Sequence, residues 1–256
     1  MSTSTLRPRW RLSPKAIPYL LVSPFVVLFL VFGLFPLGFS FYLAFQTWEP
    51  TAGLASMQFV GLDNFAFALT DEWFHKSLVN TAWLAVVSGV PQHVIAIPLA
   101  YFIHTAFKRT RNAVIGAYFL PYITSTVAIA MMFGTLFSTD YGLINAGLGA
   151  AFGTAPVDWL RQPENVKPAV AFIVFWRYLG FNVVLYLAAL QTIPKDLYEA
   201  ASLDGASPWR QFLHITLPGL MPMIYFGVTL SVIGGLQLFE DPFIPPAARA
   251  DPTRRP

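Results

Sequence analysis

The chain has 256 residues, of which 55% are hydrophobic, 16% aromatic and only 11% charged. Soluble domains carry about 25% charged residues, which argues against a soluble enzyme. There is no cysteine, so disulfides, thiolate metal sites and cysteine nucleophiles are excluded, and a net charge of +3 is too small for a nucleic-acid binder.

Five long stretches hold almost no charge: residues 16–48, 77–107, 112–139, 168–194 and 211–239, with Arg177 as the single charged side chain among them. A bilayer core needs about 20 apolar residues of helix, so each stretch is long enough to cross once. They are apolar all round, where buried helices of a soluble core keep a polar face. They do not alternate with period two, which argues against barrel strands. The expected fold class is all-α, a polytopic transmembrane helical bundle of about five spans.

The first stretch follows Arg7, Arg9, Arg11 and Lys15, so residues 1–16 read as a basic cytoplasmic tail. Its apolar part is too long for a signal peptide, and no small-residue cleavage site follows. Prolines predict kinks at Pro24, Pro36, Pro91, Pro98, Pro121, Pro218 and Pro222. Gln92 and Thr124 are single polar residues beside such kinks. His93 and His104, eleven residues apart, share a face but lie about 16 Å apart. They cannot share a metal and read as structural histidines. Trp10 and Trp48 suit membrane interfaces, and Trp176 carries no site signal.

In the fourth stretch, a central Arg177 costs at least about 2.5 kcal/mol on insertion scales. It should face the bundle, a water-filled path or a partner, or else snorkel outward or meet a backbone carbonyl. Tyr178, Asn182 and Tyr186 recur every four residues and share a helix face. They suit sugar hydroxyls as pathway lining, and equally suit helix packing.

Lys and Arg set the orientation. With the N-terminus in the cytoplasm, Arg7, Arg9, Arg11, Lys15, Lys108, Arg109, Arg111, Lys195 and Arg210 lie inside, and the two intervening outside segments hold only Lys76, Arg161 and Lys167, although the external tail adds Arg249, Arg254 and Arg255 against the trend. The acids Glu49, Asp63, Asp71, Glu72, Asp140, Asp158 and Glu164 fall outside.

The cytoplasmic loop 193–222 reads as two short helices. Pro194 suits a first helical position, and Asp196 suits the positive helix end. Leu197, Ala200 and Ala201 form a narrow apolar stripe, and Gly205 is placed to end the helix in the left-handed conformation. Ser207 and Pro208 read as the cap and first residue of the second helix. The first helix, about ten residues and about 15 Å long, is marginal alone and needs a surface to dock against. Ala200, Ala201 and Ala206 allow close approach to a partner groove, and Glu199 offers one negative charge.

Glu199-Ala200-Ala201, three residues, Gly205, nine residues, then Ile215-Thr216-Leu217-Pro218 resembles the EAA loop of ABC-importer permeases. Residues 59–65 (Phe-Val-Gly-Leu-Asp-Asn-Phe), 77–81 (Ser-Leu-Val-Asn-Thr), 141–145 (Tyr-Gly-Leu-Ile-Asn) and 187–194 resemble the carbohydrate-uptake branch, the maltose and glycerol-3-phosphate permease type. The resemblance implies a type I ABC importer permease fold and a cytoplasmic (inner) membrane location. It further implies an importer of two permeases as a heterodimer, two ATPase subunits and a periplasmic or extracellular solute-binding protein. Its solute would be a sugar or related polyol. Residues 193–218 would form the coupling loop in a permease domain spanning 17–243, with Glu199, Ala200, Ala201, Asp204, Gly205 and Pro218 carrying the coupling to the ATPase. Glu199 would pair with a basic group there, Gly205 would allow the turn, and Pro218 would stiffen the connection to the last span. Arg177, Tyr178, Asn182 and Tyr186 are the candidate substrate pathway.

No catalytic residue, metal site or cofactor is expected; ATP would be bound by the partner ATPase. The sequence has no G-x-x-x-x-G-K-[ST] phosphate loop, and Gly147 and Gly149 fall in an outside loop. A membrane enzyme is the competing class, but the spans hold no Asp or Glu and no zinc or nucleophile-elbow motif. After Phe243 the resemblance stops. A full family member is expected to carry a sixth span, whereas 244–256 is a polar, Pro- and Arg-rich tail. The expectation is a C-terminally truncated permease, with a non-transporting remnant as the alternative.

Overall fold

A computed structural model describes residues 13–107 and 110–237. Arg7, Arg9, Trp10, Arg11, Lys108, Arg109 and the tail 244–256 lie outside the described residues. Among the described residues, the regular structure is helical apart from one two-stranded hairpin. The chain divides into two units, residues 1–76 and 77–256.

The first unit opens on α1 (Ile17–Phe29), a π-helical turn (Leu30–Leu34) and α2 (Phe35–Leu43), together 27 residues of mean hydropathy 2.6. None of its most apolar window is buried within the chain, which suits a helix whose partner is lipid or another protein. Pro36 has no N–H to donate, and its ring crowds the carbonyl four residues back. The preceding turn widens, so that the Phe35 N–H reaches the Leu30 carbonyl. A hairpin follows, β1 (Gln46–Thr47) pairing antiparallel with β2 (Gln58–Phe59), Gln46 opposite Phe59. Gly61 takes a φ of 61° to turn the chain into α3 (Asp63–Thr70). Asn64 donates its amide to the carbonyls of Ala44 (3.0 Å) and Gln46 (2.9 Å), tying the helix back to the hairpin.

The remaining helices are α4 (Glu72–Ala106), α5 (Arg111–Ile123), α6 (Thr126–Leu136), α7 (Leu143–Phe152), α8 (Pro163–Leu190), α9 (Lys195–Leu203), α10 (Pro208–Gln211) and α11 (Leu217–Leu236). A second π-helical turn, Phe212–Thr216, joins α10 to α11. It has the same cause as the first: Pro218 withholds an N–H, and the Leu217 N–H reaches back to Phe212 instead. Pro91 and Pro98, by contrast, sit inside an unbroken 35-residue α4.

Among the described residues, four helical stretches are long and apolar enough to cross a membrane: Ile17–Leu43, Glu72–Ala106, Glu164–Leu190 and Pro208–Leu236. In the third charge-free stretch the kink expected at Pro121 is a sharp break. The stretch is two helices, α5 and α6, bent by 95°. The break falls at Thr124 and Ser125, both extended, just after Pro121. The Thr124 hydroxyl bonds the Leu120 carbonyl at 2.7 Å, the local competition that makes hydroxyl residues end helices. The count is therefore four spans, or five if the bent pair is one.

α8 is the centre of the second unit. One end packs Ala169 and Ile173 against Ile129 and Phe133 of α6 and Phe137 just after it. The other packs Val183, Leu187 and Leu190 against Ala96, Ala100 and Ile103 of α4 and Leu220 of α11. In lipid, burial of apolar area drives helices together little, so close backbone approach and polar contacts matter more. Small residues supply that approach: Gly180 of α8 lies against the Tyr118 carbonyl of α5, and an added Cβ at Gly235 of α11 would fall 2.7 Å from Ala85 of α4. The chain after α6 is fixed by Asn145. Its amide donates to the carbonyls of Ser138 (3.2 Å) and Val157 (2.9 Å) and accepts from Val157 N–H (3.1 Å) and Trp159 Nε1 (2.9 Å).

Candidate functional site

Two places combine unusual chemistry with a reason in the fold. The first is the connection from α8 to α11. Pro194 precedes α9 as its cap (φ −59°, ψ 133°) rather than opening it, one position earlier than the expected first helical residue. Asp196 does fall in the first turn, where the helix dipole favours an acid. At the other end the Ala206 N–H reaches Ala201 O at 2.8 Å and the Gly205 N–H reaches Ser202 O at 3.1 Å. That pair of bonds, with Gly205 at φ +78°, is the left-handed helix stop expected from the sequence. Nothing lies within 4 Å of an added Cβ at Gly205, so conformation rather than space demands glycine. Ser207 caps α10 by accepting the Arg210 N–H at 3.4 Å.

α9 turns one face to the bundle and one away. Tyr198 faces inward, and its hydroxyl lies 2.9 Å from that of Thr216. Gln211 donates to the Ser202 hydroxyl (2.9 Å) and the Ala206 carbonyl (3.2 Å), fastening the helix end. Leu197, Glu199, Ala200 and Asp204 are exposed, Ala201 is half-buried, and Leu203 is 89% exposed. Pro218 sits in the first turn of α11 with its ring exposed. A nine-residue helix is thus held in place from behind while its acid and apolar side chains stay uncovered. An open cleft of about 630 Å³ beside it is lined by Glu199 together with Lys195, Arg111 and His104.

The second place is a cavity of about 220 Å³ between α4, α8 and α11. Gln92, Tyr178, Asn182 and Ser231 give it polar walls. Tyr122, stacked on Phe181 at 4.9 Å, gives it an aromatic one. Asn182 donates to Gln92 Oε1 at 3.0 Å, while its own carbonyl oxygen is buried without a partner. Such an oxygen costs about 1–3 kcal/mol unless water or solute reaches it. Two of the expected pathway residues, Tyr178 and Asn182, therefore line the cavity. Tyr186 does not; it is fully buried, with its hydroxyl 2.6 Å from His93 Nδ1. His93 Nε2 lies 2.9 Å from the Ser231 hydroxyl, so this histidine ties three helices together. Arg177 stands at the α5–α6 break and donates to the Thr126 hydroxyl at 2.8 Å. Gln92 pairs with Asn182 rather than serving the proline kink assigned to it from sequence.

The chain is similar to a bacterial ABC transporter that imports the acidic polysaccharide alginate, with a TM-score of 0.74 and 28% identity over 87% of this chain and 74% of that one. It is equally similar to that kind of transporter in complex with an alginate pentasaccharide-bound periplasmic protein, with a TM-score of 0.73 and 29% identity over 87% and 73%. The fold is thus that of a type I ABC-importer permease, a multi-pass transport subunit of the inner membrane. The Arabinooligosaccharides transport system permease protein AraP of Bacillus subtilis (strain 168) is 35% identical over 238 residues, covering 91% of this chain and 72% of AraP. Residues 75–239 match the binding-protein-dependent transport system inner membrane component family, and the chain belongs to that family.

Proposed function

We propose that the chain is one of two different permease subunits of an importer for a sugar or related polyol, with its N-terminus in the cytoplasm. α9 is its coupling helix. An ATPase subunit, which alone binds ATP, receives the uncovered face of α9, with Glu199 against a basic group and Ala200, Ala201 and Asp204 along the contact. Gly205 sets the turn, and Pro218 begins the helix that carries the motion. Two ATPases, a second permease and an external solute-binding protein complete the assembly. Closure of the ATPase dimer on ATP moves the coupling helices together and opens the path outward. The observation that supports this most is a short helix anchored from behind by Tyr198 and Gln211 while Glu199 and Leu203 stay exposed.

The cavity is the solute path within this subunit. Asn182 and Gln92 present amides and Tyr178 presents a ring, the pairing that sugar hydroxyls and C–H faces need. Arg177 adjoins the lining residue Tyr178 and is held at the α5–α6 break by Thr126, and Tyr186 supports the wall through His93. The relatives bear on the solute class, since AraP is named for arabinooligosaccharides and the structural neighbours for alginate.

The test is uptake of radiolabelled arabino- and alginate oligosaccharides by proteoliposomes holding the whole importer. Asn182→Leu lowers ATP-dependent uptake about tenfold, the equivalent of one or two lost hydrogen bonds, while ATPase retention stays unchanged. Undiminished uptake by this variant contradicts the assignment of the cavity.

A further inference from the structure

The chain between Tyr198 and Thr216 contains two compliant points. One is the left-handed Gly205 and the other the π-helical turn Phe212–Thr216, a geometry that recurs at functional sites. A push on α9 transmitted only along the backbone would be absorbed at both. The Tyr198 hydroxyl, 2.9 Å from that of Thr216, spans them. Thr216 is fully buried, at the last residue of the π turn and immediately before α11. Phe212, at the other end of the turn, is wedged between Tyr101 of α4 (5.1 Å) and Trp209 of α10 (5.6 Å). The turn is therefore gripped at its first residue and struck at its last. Tyr198 directly precedes Glu199, so the bond begins beside the face offered to the ATPase.

We propose that the Tyr198–Thr216 bond is a strut that carries displacement of α9 straight into the foot of α11, bypassing Gly205 and the π turn. Tyr198 is then a positioning residue for coupling, not part of the docking surface. The proposal rests on the reading of α9 as the coupling helix. α11 lines the cavity through Leu230, Ser231, Gly234 and Gly235, so the strut joins the ATPase-facing helix to one wall of the solute path.

The absence of native cysteine allows a single reporter. Gly234→Cys suits it, because Gly234 lines the cavity on α11 and nothing lies within 4 Å of its added Cβ. The rate at which N-ethylmaleimide modifies this cysteine is measured in the purified complex with its co-expressed ATPase, without nucleotide and with ATP plus orthovanadate. With the strut intact the rate changes about fivefold, the lower end of allosteric couplings. In Tyr198→Phe and in Thr216→Val the change falls below about twofold, although the ATPase remains bound and traps nucleotide equally. Thr216→Ser keeps the hydroxyl and keeps the response. The double variant is no worse than either single one, as expected for one shared bond. A full response in Tyr198→Phe overturns the strut, as does loss of the ATPase from that variant, which would place the hydroxyl in docking. Failure of the unaltered chain to retain any ATPase overturns the coupling-helix reading and the strut together.

Discussion

On the proposed coupling role of α9, Glu199→Lys releases the ATPase. Glu199 is exposed on α9, one residue beyond the inward-facing Tyr198. Lysine is a good helix former, so α9 itself persists. A new like-charge pair with Lys195 one turn earlier costs only about 0.2–0.5 kcal/mol. The loss therefore falls on the proposed docking surface. Truncating one member of a buried interfacial charge pair costs about 2–5 kcal/mol, and reversal adds repulsion, so affinity drops at least about thirtyfold. Co-purification of the ATPase with affinity-tagged chain reads this directly, and Glu199→Gln should lie between the two. Unchanged association in the Lys variant would remove Glu199 from the contact.

Gly180→Leu prevents α8 and α5 from closing. An added Cβ at Gly180 runs into the Tyr118 carbonyl, and the Phe119 N lies 3.2 Å away. Both are backbone, so no side chain can swing aside. α5 must then retreat, which separates Tyr122 from Phe181 and opens the wall of the cavity. Overpacking of this kind costs about 1–3 kcal/mol and sometimes more. Thermal denaturation of the detergent-solubilised chain should show a clear drop or no folded material. Gly116→Ala is the control, because Gly116 lies on α5 with open space around its Cβ. It should match the parent or gain up to about 1 kcal/mol from helix propensity. A Gly180→Leu chain that melts with the parent would rule out the close approach.

Much of this was legible because the strongest signals are local. Charge exclusion marked the spans, since a charge in hydrocarbon is costly whatever the tertiary structure. Gly205 was legible because φ +78° suits little else, and Ser207-Pro208 because cap and proline act within one turn. Pro194 was misplaced by one residue because proline fits both the cap and the first helical position when neither needs an N–H. The bend between α5 and α6 was signalled by Pro121, but its 95° size was hidden, since both arms are apolar and composition does not report direction.

The short motifs shared with carbohydrate permeases take on structural meaning only in three dimensions. Asn64 and Asn145 are loop clamps, and Asn80 accepts the Lys167 ammonium at 2.7 Å. The polar interior was least legible. Asn182 meets Gln92 from 90 residues away, and His93 meets Ser231 from 138. No periodicity within one helix announces such pairs. The spacing of Tyr178, Asn182 and Tyr186 gave a shared face but not their depth along it, so the cavity took the first two and the core took the third.

The side of the membrane occupied by α9 decides the account. Leu203 is 89% exposed at the end of that helix, and the chain has no cysteine to confuse the readout, so Leu203→Cys can be probed with a membrane-impermeant maleimide. Labelling in inside-out membrane vesicles and none in intact spheroplasts is the expected result. Labelling in intact spheroplasts would put α9 on the outer face, out of reach of any ATPase, and contradict the account.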